Sequence, residues 1–185
     1  MIDIKVQAVL RVALVALLFS SQKAIAQDEE PLDVAPPPAK LLLAEDKKQI
    51  DTEKNIRRQV ETSLKLLEEK LKSAEYLANQ QNYRATLDQL GTYQALIEYM
   101  LKLFEKYEKQ DGRFFNAIKD FEIALRKQTP RLELIRREIP YRYGWHVQKL
   151  IRFVREARSK TIEPMLLDST GWIYLIKMPI WVCVG

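Results

Sequence analysis

Cysteine and histidine are nearly absent. Cys183 and His146 are each the sole representative in 185 residues, so no disulfide can form within the chain. A His/Cys metal cluster or a Cys–His nucleophile pair has little material to draw on. No loop carries the ligand spacing of a carboxylate-only magnesium or calcium site. Glycine is scarce at five residues, and Gly-rich loops are missing with it. No catalytic or metal-binding motif is present, so the chain reads as a non-enzyme with no catalytic residue, metal ligand or cofactor. Long apolar runs are lacking too. The N-terminal run from Val12 to Phe19 falls far short of the roughly 20 residues a spanning helix needs.

What remains favours helix. Hydrophobic residues make up 47% and charged residues 30%, with Leu, Glu, Lys, Arg and Gln abundant, a mixture that suits helix better than sheet. The organising stretch is Phe114 to Ile139. Phe114, Ile118, Phe121, Leu125, Gln128, Leu132, Ile135 and Ile139 recur at steps of four and three, one apolar seam interrupted only by Gln128. Pro130 lies within it and would cost roughly 3 kcal/mol in a helix interior. The phase nevertheless continues unaltered across it, which predicts one kinked helix rather than two. A seam of this kind needs covering helices, and the flanking segments carry matching stripes. The expected fold is an all-α antiparallel bundle of about four helices with long coiled-coil-like hairpins.

Residues 1–26 read as a signal peptide, with Lys5 and Arg11 before the apolar run and Ala24-Ile25-Ala26 as a small-x-small cleavage site. Cleavage after Ala26 would place the chain outside the cytoplasm, periplasmic or secreted. Residues 27–40 form an acidic, proline-rich leader, read as a flexible spacer. The bundle domain spans 41–163. Its first helix is expected from about Leu41 to Asn79, with Ile56, Val60, Leu64, Leu67, Leu71, Ala74 and Ala78 inward. After a turn at Asn79–Asn82 a second helix runs from about Tyr83 to Glu108. Gly91 inside it allows either close helix approach or a local break. Pro140 to His146 is expected as a turn, followed by a last helix from about Trp145 to Ile162 that Pro164 ends. Residues 164–185 form an apolar tail, loosely held or touching a membrane.

Two groups point outward. Residues 126–160 hold eleven Lys and Arg against three acids, a net of +8 in a chain of net +5. Arg152, Arg155 and Arg158 form a stripe three residues apart, and Arg136, Arg137, Arg142 and Lys149 could join it in one basic surface. Export favours anionic lipid, an envelope polymer or an acidic protein as its partner over nucleic acid, with peripheral membrane contact as a further expectation. Tyr141, Tyr143, Trp145 and His146 gather rings at one turn and could contact a ligand; covering the end of the core is the commoner use. A solvated face is likewise the commoner use of a basic stripe.

Gly112, Phe114, Ala117, Ile118, Phe121, Ala124 and Leu125 resemble the second helix of a tetratricopeptide repeat. That resemblance implies helix pairs stacked into a peptide-binding groove. The chain departs from the family's pattern in several places. Pro130 falls one place late, Glu105 stands where a Gly belongs, and the preceding helix is about twice too long. A shift of one 34-residue repeat sets Tyr83 against Ala117 and Leu90 against Ala124, so nothing recurs. The leading functional expectation is therefore an exported interaction or scaffold protein of the cell envelope. A holdase-like chaperone and a tetratricopeptide-like peptide binder are the alternatives.

Overall fold

Three helix starts in this chain are set by short amide and carboxylate side chains. In the computed structural model, which describes residues 33–107 and 111–169, Asn55, Asn82 and Asp111 each turn a side-chain oxygen onto the opening N–H groups of the helix that follows. Such caps satisfy donors that the first helical turn leaves unpaired. Five helices result among the described residues: α1 Ala44–Thr52, α2 Ile56–Asn79, α3 Tyr83–Glu105, α4 Gly112–Glu138 and α5 Tyr141–Ser169. No strand occurs among the described residues. The four long helices contact one another in a ring. α2 packs on α3 and α4, α5 packs on the same two, and α1 folds back on α2. The expected signal peptide, the first part of the leader and the residues from 170 on lie outside the described residues.

The seam of α4 is buried as its period requires: Phe114, Ile118, Phe121, Leu125, Gln128, Leu132 and Ile135 all face inward. Pro130 sits inside this single 27-residue helix. Lacking an N–H, it leaves the Arg126 carbonyl without its usual partner, while its ring stays exposed. Around the seam α3 contributes Leu87, Leu90, Tyr93, Leu96, Ile97, Met100 and Phe104, and α2 contributes Val60, Leu67, Leu71 and Ala74. Near the start of α4, Phe104 meets Phe114 and Phe121 edge-on, at 6.2 and 5.3 Å, and Tyr107 stacks on Phe114 at 5.1 Å. These are the favoured arrangements of aromatic quadrupoles.

Three sequence expectations are corrected. The first helix is not continuous from Leu41 to Asn79, because it breaks at Glu53–Asn55. Asn55 bonds the Arg57 N–H at 3.0 Å, a local bond that competes with helix continuation. The break lets Ile50 and Ile56 both become fully buried. Lys70 ties α1 back at 3.2 Å through Asp46, and Tyr99 of α3 donates to Asp51. The second correction concerns Pro140–His146, which is not a turn. Only Ile139 and Pro140 lie between α4 and α5. The Pro140 carbonyl accepts from the N–H groups of Tyr143 and Gly144 and so opens α5 at Tyr141. Nor does Pro164 end α5, which runs on to Ser169. A proline inside a helix removes one donor and crowds the preceding turn, at a cost of about 3 kcal/mol, but does not compel the helix to stop.

The third correction is the leader. Residues 33–40 are no loose spacer, because they lie against α3 and α5. Ala35 is 2% exposed, and its N–H donates to the Arg142 carbonyl at 3.0 Å. Gly91 explains part of the fit. A Cβ there would sit 2.3 Å from the Ala39 carbonyl oxygen, so the glycine serves the leader's approach rather than a helix's.

Candidate functional site

The basic residues read from the sequence divide between the edge of the bundle and its solvent face. Arg158 is the most enclosed. Its Nε and Nη2 donate to Glu122 of α4 at 3.0 and 2.8 Å. Glu133, also on α4, takes Arg136 at 2.8 Å on one oxygen and Arg155 at 3.3 Å on the other. Arg142 lies 3.6 Å from Asp33 and stacks over the Tyr143 ring at 5.5 Å. Lys149 sits 5.0 Å over Trp145. Part of the +8 is thus met from within, by Glu122 of α4, by Asp33 of the leader and, through Arg131, by Glu68 and Glu75 of α2. On the outer side of α5, Lys149, Arg152, Arg155 and Lys160 are all exposed, with Glu156 the acid among them. Arg137 is exposed on α4.

The aromatic group does not form one open platform. Tyr141 alone faces solvent, at 69% exposure. Tyr143 packs against Tyr83 of α3 at 5.5 Å, Trp145 is buried with no acceptor for its Nε1, and His146 is committed to the leader. Its Nε2 lies 2.6 Å from the Ala35 carbonyl oxygen. The helical conformation of this stretch fans the four side chains around an axis instead of gathering them on a turn.

Gln128, the one polar position in the seam, belongs to a network that links three helices. Tyr93 of α3, wholly buried, donates its hydroxyl to Gln128 Oε1 at 2.9 Å. The Gln128 amide in turn reaches Glu68 of α2 at 3.3 Å. Arg131, one turn on, grips Glu75 through Nε and Nη2 at 2.6 and 2.7 Å and Glu68 through Nη1 at 2.7 Å. The planar fork suits this two-carboxylate geometry in a way an ammonium would not. Burial opposes the Glu68 charge, yet the bonds from Arg131 and Gln128 prevail and hold its carboxyl below the usual range. Hydrogen bonding to Glu75 raises the Arg131 guanidinium further. Burial raises the Tyr93 phenol, and burial with the bond to Asp51 pushes Tyr99 up to about 12. Each of these bonds joins one helix to another, so the network clamps α2, α3 and α4 together. Sequence reading missed Arg131, Glu68, Glu75 and Tyr93. The available signal was Gln128 in an apolar seam.

A cleft of about 130 Å³ opens between Leu101, Phe104, Phe114, Ile118, Lys160 and Thr161. It is small and mainly apolar. No group of three or more His, Cys, Asp or Glu side chains with metal-holding geometry occurs among the described residues. No helix among them is long and apolar enough to cross a membrane. Of the tetratricopeptide-like positions, Phe114, Ala117, Ile118, Phe121 and Leu125 are buried, Ala124 is half-buried and Gly112 is exposed. Comparison with protein-family models, with curated proteins and with solved structures returns no match, so the reading of this chain rests on its own residues.

Proposed function

We propose that the chain is an exported, non-enzymatic interaction or scaffold protein of the cell envelope. In this reading the outer face of α5 docks on an anionic component, lipid headgroup or polymer. The observation that carries it is the row Lys149, Arg152, Arg155 and Lys160, exposed along one helix with a single interspersed acid. Such a row concentrates positive potential on one side of the bundle. We take the scaffold as an antiparallel four-helix bundle with coiled-coil-like hairpins. The short connections at Gln80–Asn82 and Ile139–Pro140 support that arrangement. The chaperone alternative has less behind it. Among the described residues the exposed large apolar side chains are Leu41, Leu43, Tyr76, Leu134 and Tyr141, few for a client-binding surface.

Export is tested directly by mass. The exported fraction should contain a chain beginning at Gln27, and retention of the residues from Met1 to Ala26 there would refute cleavage. The docking face is tested with anionic vesicles and with a polyanionic envelope polymer as separate arms. Binding at 0.01 M salt should weaken steeply by 0.15 M, as the screening length falls from about 30 Å to about 8 Å. Arg152→Gln combined with Arg155→Gln should weaken it further with helicity unchanged. Neutral glutamine is the better replacement, because a carboxylate at position 155 would face Glu133. Equal binding by the double variant, or none by the wild type at low salt, would leave the row a solvated face.

A further inference from the structure

Segment 33–40 is held as a bound peptide is held. Ala35 is gripped on both backbone edges, its N–H by the Arg142 carbonyl at 3.0 Å and its carbonyl by His146 Nε2 at 2.6 Å. Its methyl group is buried, so a charged side chain there would lose its hydration. Arg84 Nη1 donates to the carbonyls of Pro36 and Pro37 at 3.1 and 3.4 Å. Ala39 N–H reaches Asp88 at 3.4 Å. At Gly91 the wall is bare backbone, where a Cβ would stand 2.3 Å from the Ala39 oxygen and 3.2 Å from the Pro38 ring. The ends carry opposite charges on opposite partners, Asp33 with Arg142 and Lys40 with Glu98, each at 3.6 Å. Exposed pairs of this kind contribute direction more than affinity.

Pro36, Pro37, Ala39 and Lys40 remain exposed and Pro38 half-exposed, so the segment adds little to the core. The floor beneath it is made by Leu87, Leu90, Val147 and Leu150, side chains through which α3 and α5 already pack on each other. A run of prolines holds its carbonyls outward and unpaired, already extended before it binds. An arginine reading successive proline carbonyls, a pocket for one alanine and a glycine wall together select that chemistry.

We propose that the groove between α3 and α5 is a binding site for extended proline-rich peptides of the pattern acid–x–Ala–Pro–Pro–Pro–Ala–Lys, with the chain's own residues 33–40 as its resident ligand. A peptide of this pattern supplied by another molecule binds when the resident segment is displaced. The site is independent of the basic face of α5, and its test reads a different ligand.

The test uses the full chain carrying Ala35→Asp, which cannot seat its own segment, and a fluorescein-labelled peptide Asp-Val-Ala-Pro-Pro-Pro-Ala-Lys followed by anisotropy. The variant should keep wild-type helicity and bind the peptide saturably. The wild type should bind it at least tenfold more weakly, because its own segment is present at an effective concentration of about millimolar. Adding Gly91→Ala to the variant should abolish uptake, since the atoms nearest the new methyl group all belong to Pro38 and Ala39 of the segment. Aspartate in place of the peptide's first alanine should abolish it as well. A one-to-one dimer of the variant with the wild-type chain on gel filtration would put a second copy's segment in the groove and supports the same assignment. A folded variant that takes up no peptide overturns the proposal, as does equal binding to wild type and variant. Loss of helicity in Ala35→Asp also overturns it, because the groove would then not exist without its segment.

Discussion

Phe121→Ala is expected to lower stability by about 3–5 kcal/mol and the melting temperature by roughly 12–20 °C, at about 4 °C per kcal/mol for a domain of this size. Phe121 is fully buried at the middle of the α4 seam, edge-on to Phe104. Truncation loses both the transfer free energy of the ring and its dispersion contacts, and α4 is held by α2 and α5 on two sides, which limits collapse into the void. Thermal denaturation followed at 222 nm measures it. A shift of only a few degrees would place the ring in a site that can repack, and the seam would not be the core.

Arg131→Ala should come second, at about 2–3 kcal/mol. The side chain is 28% exposed and its partners Glu68 and Glu75 are 36% and 33% exposed, so solvent screens the charges and the full cost of a buried ion is not reached. What is lost is a bidentate clamp joining α4 to α2, leaving two carboxylates facing each other. Arg131→Lys should recover only part, since one ammonium cannot span both. The network also carries a pH signature. Glu68 is held below its ordinary value of 4.5 in the folded chain, so its contribution is complete above that value and lost as pH falls through the lower folded one. The stability gap between wild type and Glu68→Gln should therefore narrow as the pH falls below 4.5. A gap that stays constant there would show that Arg131 does not favour the charged form of Glu68.

Local spacing carried most of the helical layout. The seam from Phe114 to Ile135 is periodic over neighbours three and four residues apart, so its burial, and the continuity of α4 through Pro130, follow from the chain alone. The turn at Asn79–Asn82 and the start of α4 at Asp111 likewise rest on residues within three positions of the bonds they make. Partner choice did not follow, because it is made across long separations. His146 meets Ala35 over 111 residues and Arg131 meets Glu68 over 63. The sequence shows a basic stripe but not that Glu122 and Glu133 of α4 stand against Arg158 and Arg155. It shows a glycine in α3 but not that the leader's backbone fills the space a methyl group would need. It shows aromatics near Pro140 but not that they start a helix, which Pro140's carbonyl and the packing of Trp145, Val147 and Leu150 decide together. Helical period is a property of adjacent turns, whereas charge pairing and close approach depend on which faces the fold brings together.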